Sequence, residues 1–497
     1  MTKQFIAFIL FLCGCFAMQA QPIYKKSFIP NYVSDRIFQF NSSLYLVGFN
    51  NYTQRKAVIL KTDFAGNAQW AAEISSHCND IFIEDLIVAS DGFIYAVGRA
   101  NDSVTNCTFT GGNPFITKID NNTGAVIHAK IANDYGGGNY SCIVESNSGE
   151  LFILGNEFNT GNHYVRGTLL RLDTALNNIW QAKFENGYSN IQWNGFKNDT
   201  LGNLYVTGTR LDTLYYKNIV CKLDSMGNII WSNVYDDGNE TAGFQVMMAN
   251  DGVYICGNHK NIVSIQSGTF ILKLDTTGNI QWWRLLIGNG FHAEGRMYPF
   301  KENFFITPGT FCLLDSNANV IKTKDVLMSG HYFGFDADWN LYSGANVGFS
   351  LNKCDSNFNC CEGTPVSVSS LPITNFNKDT FGLSHVIYNP SYKHIFYSNS
   401  IQITDSMHCT TSIGFESNEV TTELLTLYPN PTTNYFYIRA SQAIYFQDLS
   451  LFNNLGMNVP FNYSQNTKEE IEIRVELLPS GLYWLKIKNQ VKPVILN

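Results

Sequence analysis

One ten-residue unit recurs along this chain, and its spacing constrains the fold more than any other feature of the sequence. The clearest copies are KLDSMGNIIW at 222–231 and KLDTTGNIQW at 273–282. Further copies are KTDFAGNAQW at 61–70, RLDTALNNIW at 171–180, KIDNNTGAVIH at 118–128, LLDSNANVIK at 313–322 and NKCDSNFNCC at 352–361. The marker aspartates, at intervals of 57, 53, 51, 51, 40 and 40 residues, are Asp63, Asp120, Asp173, Asp224, Asp275, Asp315 and Asp355. This spacing is typical of one four-stranded propeller blade.

Each copy is predicted to form a β-hairpin. Alternating apolar residues run up to the aspartate, a Gly-Asn pair supplies the turn, and alternation then resumes. The aspartate can accept hydrogen bonds from turn amides. A strand that ends in glycine precedes each of the first five hairpins: LYLVG (44–48), IYAVG (94–98), LFILG (151–155), LYVTG (204–208) and VYICG (253–257).

These strands predict a chain of stacked blades. A lone four-stranded sheet with two apolar faces cannot bury both, so consecutive sheets pack on each other around an axis. We therefore predict an all-β protein with a seven-bladed β-propeller over 22–362. Tryptophan is expected to fill the wedge between neighbouring blades at four equivalent positions, Trp70, Trp180, Trp231 and Trp282. The segment IYKKSFI (23–29) resembles the outer strand of a repeat, the strand that carries the tryptophan, but no other strands of a blade precede it. It is therefore expected to complete the last blade.

The two ends of the chain differ from the repeats. Residues 1–20 have the features of a signal peptide: a positive charge, an apolar run and a cleavage region with small residues. The alternative is a lipoprotein signal with lipid attachment at Cys15. Residues 363–420 are predicted to form a β extension or a linker, which could also supply strands to the seventh blade or an eighth. Residues 421–497 are predicted to form a separate, small Ig-like β-sandwich.

Three segments of this last part closely resemble the type A C-terminal sorting domain of the type IX secretion system. They are Tyr428-Pro429-Asn430-Pro431, Leu455-Gly456 and Leu478-Pro479-Ser480-Gly481-Leu482-Tyr483. The resemblance implies recognition by the secretion machinery, with the protein released or attached at the outer surface after passage through the periplasm. An ordinary Ig-like accessory domain is the alternative. The repeats similarly resemble bacterial β-propellers, including quinoprotein-like ones, which indicates fold rather than activity.

Charge and cysteine content limit the class of protein further. The net charge is -8 without a basic cluster, which argues against nucleic acid or an anionic membrane as partner. No later apolar run approaches the length of a membrane span. Ten of the 12 cysteines follow the signal segment into an oxidising destination. The predicted disulfide joins Cys78 to Cys107, and Cys360 and Cys361 have Cys354 and Cys409 as possible partners.

Candidate ligand-binding residues lie in the loops that lead from each outer strand to the next inner strand. These loops should gather on one face, and their planar and polar side chains suit a carbohydrate or a peptide. The candidates are Tyr135, Tyr140, Trp193, Asp237, Glu240, His292, Glu294, Arg296, His331 and Tyr332. The simpler alternative is that these residues pack loop against loop.

An extracellular enzyme is the alternative function. Glu240 could pair with Glu294 or Asp237 as glycan-cleaving carboxylates, and a Cys360–Cys361 ring could accompany a quinone cofactor. No hydrolase, phosphate-binding or zinc motif is present, so we predict no metal and no cofactor. The favoured reading is a secreted or cell-surface propeller that acts as a non-enzymatic scaffold for glycan or protein.

Overall fold

The structure is a computed structural model. It describes residues 23–29, 31–50, 55–76, 80–101, 112–132, 137–159, 164–185, 190–211, 215–263, 267–288, 296–301, 303–307, 310–325, 333–344, 349–360, 368–372, 377–380, 384–387, 392–393, 397–401, 403, 406–411, 426–439, 449–453, 458–467, 470–476, 478–487 and 490–496. The predicted signal peptide lies outside these residues. The chain divides into two compact units, 23–410 and a second unit that contains 411–497.

The first unit is built from seven antiparallel sheets, one for each marker aspartate. Blade 1 consists of β2 (Tyr32–Phe40), β3 (Ser43–Asn50), β4 (Ala57–Asp63) and β5 (Ala68–Ser75). Blade 2 consists of β6 (Ile81–Val88), β7 (Ile94–Ala100), β8 (Asn113–Ile119) and β9 (Val126–Ala132). Blade 3 consists of β10 (Gly138–Glu145), β11 (Leu151–Asn159), β12 (Tyr164–Leu172) and β13 (Asn178–Glu185). Blades 4 and 5 consist of β14 (Asn190–Asn198), β15 (Leu204–Leu211), β16 (Tyr216–Leu223) and β17 (Ile229–Asp236); and β18 (Glu240–Ala249), β19 (Gly252–Lys260), β20 (Ser267–Leu274) and β21 (Ile280–Gly288). Blade 6 consists of β22 (Arg296–Phe300), β23 (Asn303–Thr307), β24 (Thr310–Leu314) and β25 (Val320–Asp325).

Blade 7 closes the ring with a strand from the start of the chain. Its own strands are β26 (Phe333–Phe335), β27 (Leu341–Gly344) and β28 (Phe349–Cys354). The fourth strand is β1 (Ile23–Ile29), which pairs antiparallel with β28. The predicted closure by residues 23–29 and the seven-bladed fold are therefore confirmed.

The marker aspartate organises the hairpin turn in each repeat. Asp63 Oδ1 accepts the backbone N–H groups of Ala65 and Asn67 at 2.9 and 2.8 Å, and Asn67 Nδ2 donates to Asp63 Oδ2 at 2.9 Å. Five further repeats make the same set of bonds, at Asp173, Asp224, Asp275, Asp315 and Asp355. The turn residue with positive φ is glycine in some copies but Leu176 (65°) or Ala318 (59°) in others. The aspartate bonds thus maintain the turn where glycine has been lost.

The same turn fastens each blade to its neighbour. In blade 1, Lys61 Nζ and Trp70 Nε1 both donate to the carbonyl of Asn121 in the turn of blade 2, at 3.0 and 2.9 Å. Tyr45 donates its hydroxyl to the side chain of that asparagine at 2.6 Å. Trp70 stands opposite Lys61 in the strand register, as Trp231 stands opposite Lys222. The repeated Lys, Trp and Tyr are therefore the parts of one contact between blades.

The inner strands of blades 1 to 5 each carry a β-bulge near their middle. Opposite each bulge, on the second strand of the same blade, lies the glycine that ends the apolar motif of that strand. These glycines are Gly48, Gly98, Gly155, Gly208 and Gly257. A Cβ on Gly98 would lie 1.9 Å from the carbonyl oxygen of Phe82, and one on Gly48 would lie 2.0 Å from that of Val33. Close approach of the bulged strand therefore requires glycine at this position.

Six short strands lie in the described residues between 368 and 411, a segment that we call the outer belt. They pair in turn with the outermost strands of blades 5, 4, 3, 2, 1 and 7. The strands are β29 (Val368–Pro372), β30 (Asn377–Thr380), β31 (Ser384–Ile387), β32 (Tyr392–Lys393), β33 (Tyr397–Ser400) and β34 (Ser406–Thr411). Addition to the seventh blade was one of the predicted possibilities, but it holds only for β34, which pairs with β1. The belt covers outer edges that would otherwise be open to other strands.

The second unit contains a two-sheet sandwich. One sheet has the order β35 (Thr426–Tyr428), β36 (Tyr435–Arg439), β40 (Glu470–Arg474) and β39 (Asn462–Thr467). The other has the order β38 (Asn458–Val459), β37 (Leu449–Asn453), β41 (Gly481–Ile487) and β42 (Gln490–Leu496). Alternate residues of both sheets, such as Phe436, Ile473 and Leu485, form its buried core.

Candidate functional site

A cavity of about 410 Å³ lies between blades 4 and 5. Its lining residues come from β14, β15 and β16 of blade 4 and from β18, β19 and β20 of blade 5. We call it the blade 4–5 cleft, and its walls are formed by Gln192, Asn194, Thr209, Tyr216, Glu240, Ala242, Phe244, Asn258, His259, Lys260, Ser267 and Gly268. Its volume is within the range of small-molecule sites in proteins.

Amide and aromatic side chains dominate this wall. Asn194 occupies the bulge of β14, and its Nδ2 donates to the carbonyl of Gly243 at 2.8 Å and to Thr209 Oγ1 at 3.1 Å. These two bonds hold Asn194 in place between the blades. Tyr216 is 45% exposed at the start of β16, so its ring is available to an incoming ligand.

Each of the two carboxylates at the cleft has a basic side chain beside it. Asp237 and His259 are almost fully buried, with His259 Nε2 2.7 Å from Asp237 Oδ2. Burial alone would raise the pKa of Asp237, but the hydrogen bonds from His259 and Asn239 outweigh it and lower this pKa. Asp237 is therefore ionised and only accepts, so Nε2 of His259 carries the proton. Lys260 Nζ lies 3.4 Å from Glu240 Oε2, which balances the other carboxylate.

Two sequence-predicted residues are not available to a ligand. Tyr140 and Trp193 are completely buried between blades, with exposed fractions of 0% and 1%. Trp193 packs against Phe184 and so close to Gly167 that a Cβ there would lie 1.9 Å from its ring. The prediction that they present planar faces to a ligand is corrected, because both lie on strands whose side chains point into the neighbouring blade.

The other candidates fall into three groups. Glu240 lines the blade 4–5 cleft. Asp237 is not part of the cleft wall but is hydrogen-bonded to His259, which is. Arg296 begins β22 and is half-buried, outside the cleft wall. The remaining candidates lie outside the described residues: Tyr135, His292, Glu294, His331 and Tyr332.

Several residues of the cleft escaped prediction because they lie on strands rather than in loops. Gln192 and Asn194 belong to an inner strand, and Tyr216 opens the third strand of blade 4. The one available indication was the polar run of Asn258, His259 and Lys260 after the apolar strand VYICG.

A disulfide joins Cys354 and Cys360, with the sulfurs 2.09 Å apart. This bond prevents Cys360 from forming a ring with Cys361, which corrects the quinone-linked prediction. Cys78 and Cys107 lie outside the described residues. Four other cysteines are buried free thiols, and burial raises the pKa of Cys312 to about 12, which keeps it protonated.

The described part of the chain contains no group of three or more His, Cys, Asp or Glu side chains that could hold a metal ion. Nor does any helix in that part have the length and apolarity needed to cross a membrane.

The strand order defines an all-β propeller protein that also contains a C-terminal β-sandwich. Residues 426–496 match the family described as the secretion system C-terminal sorting domain. The protein is therefore exported by type IX secretion to the cell surface or the extracellular space. The sequence matches none of the curated proteins.

Solved structures give weaker likenesses. The WD40 β-propeller domain of Doa1 aligns with a TM-score of 0.40 at 8% identity, covering 67% of this chain and 96% of that one. A europium-containing methanol dehydrogenase aligns with a TM-score of 0.37 at 11% identity, covering 65% of this chain and 84% of that one. An exo-β-1,3-galactanase from Phanerochaete chrysosporium aligns with a TM-score of 0.30 at 11% identity, covering 75% of this chain and 100% of that one. Such scores carry no argument about activity, and the strand order itself defines the propeller here.

Proposed function

We propose that this exported propeller is a non-enzymatic binding scaffold whose ligand, a glycan or a segment of protein, occupies the blade 4–5 cleft. The observation that carries the proposal is the wall itself, where amides, hydroxyls and one exposed tyrosine ring surround a cavity of about 410 Å³. Amide groups donate and accept hydrogen bonds, and a tyrosine ring packs on flat apolar surfaces. Both properties suit sugar rings and peptide groups.

The charges in the cleft support binding over catalysis. Glycosidases use one carboxylic acid and one carboxylate that face the scissile bond. Here Asp237 is bonded to His259, and Glu240 lies beside Lys260. Each carboxylate therefore has its own partner, which favours a neutral ligand held by polar contacts.

Glycan-array and peptide-array binding by the purified chain would test the proposal. Tyr216→Ala and Gln192→Ala should each weaken binding at least about tenfold, because each removes a wall contact worth about 1.4 kcal/mol or more. The matched control is Tyr215→Ala, which removes a neighbouring tyrosine of similar exposure (39%) that is not part of the cleft wall. Equal loss in the control, or unchanged binding in both wall variants, would refute the assignment of the cleft.

A further inference from the structure

The outer face of the second sandwich sheet carries a continuous row of apolar side chains. Trp484 stands opposite Phe452 on one side and Pro493 on the other, and Leu482 stands opposite Ile495. We call these five residues the apolar stripe. Residues that alternate with them, such as Leu485, point inward and are buried in the sandwich core. Leu482 and Ile495 remain 42% and 43% exposed.

Residues of the sorting motifs border this stripe. Leu482 is itself part of the segment 478–483. Asn430, from the first motif, donates from Nδ2 to the carbonyl of Pro493 at 2.8 Å and accepts the N–H of Ile495 at 2.8 Å. Thr432 N–H donates to the carbonyl of Ile495 at 2.9 Å. The first motif is therefore held along the edge of β42, continuous with the stripe.

Charge distinguishes the two sheets of the sandwich. The sheet with the stripe has Lys486 and Lys492 but no acidic residue in its four strands, β37, β38, β41 and β42. The other sheet neutralises itself internally, since Arg439 pairs with Glu470 at 2.9 Å and Arg474 with Glu472 at 2.8 Å. Lys486 follows the stripe on the same outward face, whereas Lys492 stands opposite the inward-pointing Leu485. In the described residues the stripe is therefore an apolar surface with a cation beside it.

We propose that the apolar stripe is the face by which the sorting domain docks on a protein of the type IX secretion machinery, whose contact surface is apolar with an acidic group placed to meet Lys486. Exposed apolar patches with a polar border mark interaction sites, and tryptophan commonly anchors them. The continuity with the sorting motifs identifies the occupant as the machinery that reads those motifs. Opposite charge on the partner would align the two surfaces before the apolar groups meet.

Export of the full-length chain from a host with type IX secretion tests the proposal. The double variant Leu482→Ser, Ile495→Ser should lower the amount delivered outside the cell at least about tenfold and leave folded protein in the periplasm. The matched control is Tyr435→Ser, Tyr463→Ser, which removes residues of equal exposure, 43% and 42%, from the other sheet. Delivery of the control should stay within about twofold of the unmodified chain, since surface substitutions away from an interface change little. Circular dichroism of the purified variants establishes that both fold.

Charge reversal provides an independent arm. Lys486→Glu should reduce delivery, whereas Lys486→Arg should preserve it. Normal export of the serine double variant, or equal failure of the tyrosine control, would overturn the proposal. Normal export combined with lost binding to vesicles of anionic lipid would also overturn it, because the stripe would then serve a lipid surface.

Discussion

Adding one methyl group at Gly227 tests whether the repeated turn holds neighbouring blades together. Gly227 has a φ of +86°, and a Cβ there would lie 2.6 and 2.7 Å from two ring atoms of Trp180 in the preceding blade. Alanine in a left-handed conformation costs about 1–2 kcal/mol. Normal carbon contacts are about 3.5–4.0 Å, so the ring must also move, at about 1–3 kcal/mol. Gly227→Ala should therefore lower the free energy of unfolding by about 2–5 kcal/mol.

The chain offers a control for the backbone part of this effect. Gly92 has almost the same φ, +83°, but a Cβ there would meet no atom within 4 Å. Gly92→Ala should cost only about 1–2 kcal/mol in denaturant unfolding followed by far-UV circular dichroism. Equal losses in the two variants would refute the contact between turn and tryptophan. In a Trp180→Ala background, the extra cost of Gly227→Ala should disappear, which a double-mutant cycle would measure.

Three further perturbations have defined outcomes. Deleting the outer belt (368–411) should expose strand edges on six blades, so the variant should elute as oligomers in size-exclusion chromatography; a monomer of unchanged melting temperature would contradict this. Partial burial alone would raise the pKa of Asp275, but its turn hydrogen bonds, led by the N–H of Asn279, lower this pKa to about 2. The ionised carboxylate therefore stabilises the folded chain above the unfolded pKa of about 3.9, and this stabilisation is lost as pH falls towards 2. Asp275→Asn should therefore destabilise the chain at pH 7 but not near pH 2, and a pH-independent difference would argue against this. Replacing Cys354 and Cys360 together by alanine should cost about 2 kcal/mol from the short closed loop, and unchanged denaturant unfolding would refute it.

The sequence alone predicted the features that depend on local side-chain chemistry. An aspartate that accepts turn amides needs only its next few residues, so seven copies of it indicated seven blades. The strand at 23–29 could be recognised as a closing strand because it repeats the alternation of the other outer strands. The motifs that begin at Tyr428 likewise indicated the sorting domain.

The burial of residues outside the repeated unit, in contrast, follows only from the tertiary structure. Tyr140 and Trp193 were predicted as ligand contacts but are buried, because the neighbouring blade decides which side of a strand is covered. The outer belt pairs through backbone groups, which leave little pattern in the side chains, so its path around six blades could not be predicted from residue types. The blade 4–5 cleft unites residues from six strands, and their juxtaposition depends on how two sheets pack. The sequence by itself therefore determined the repeating unit and the export domain, while the ring and its packing decided which side chains a ligand can reach.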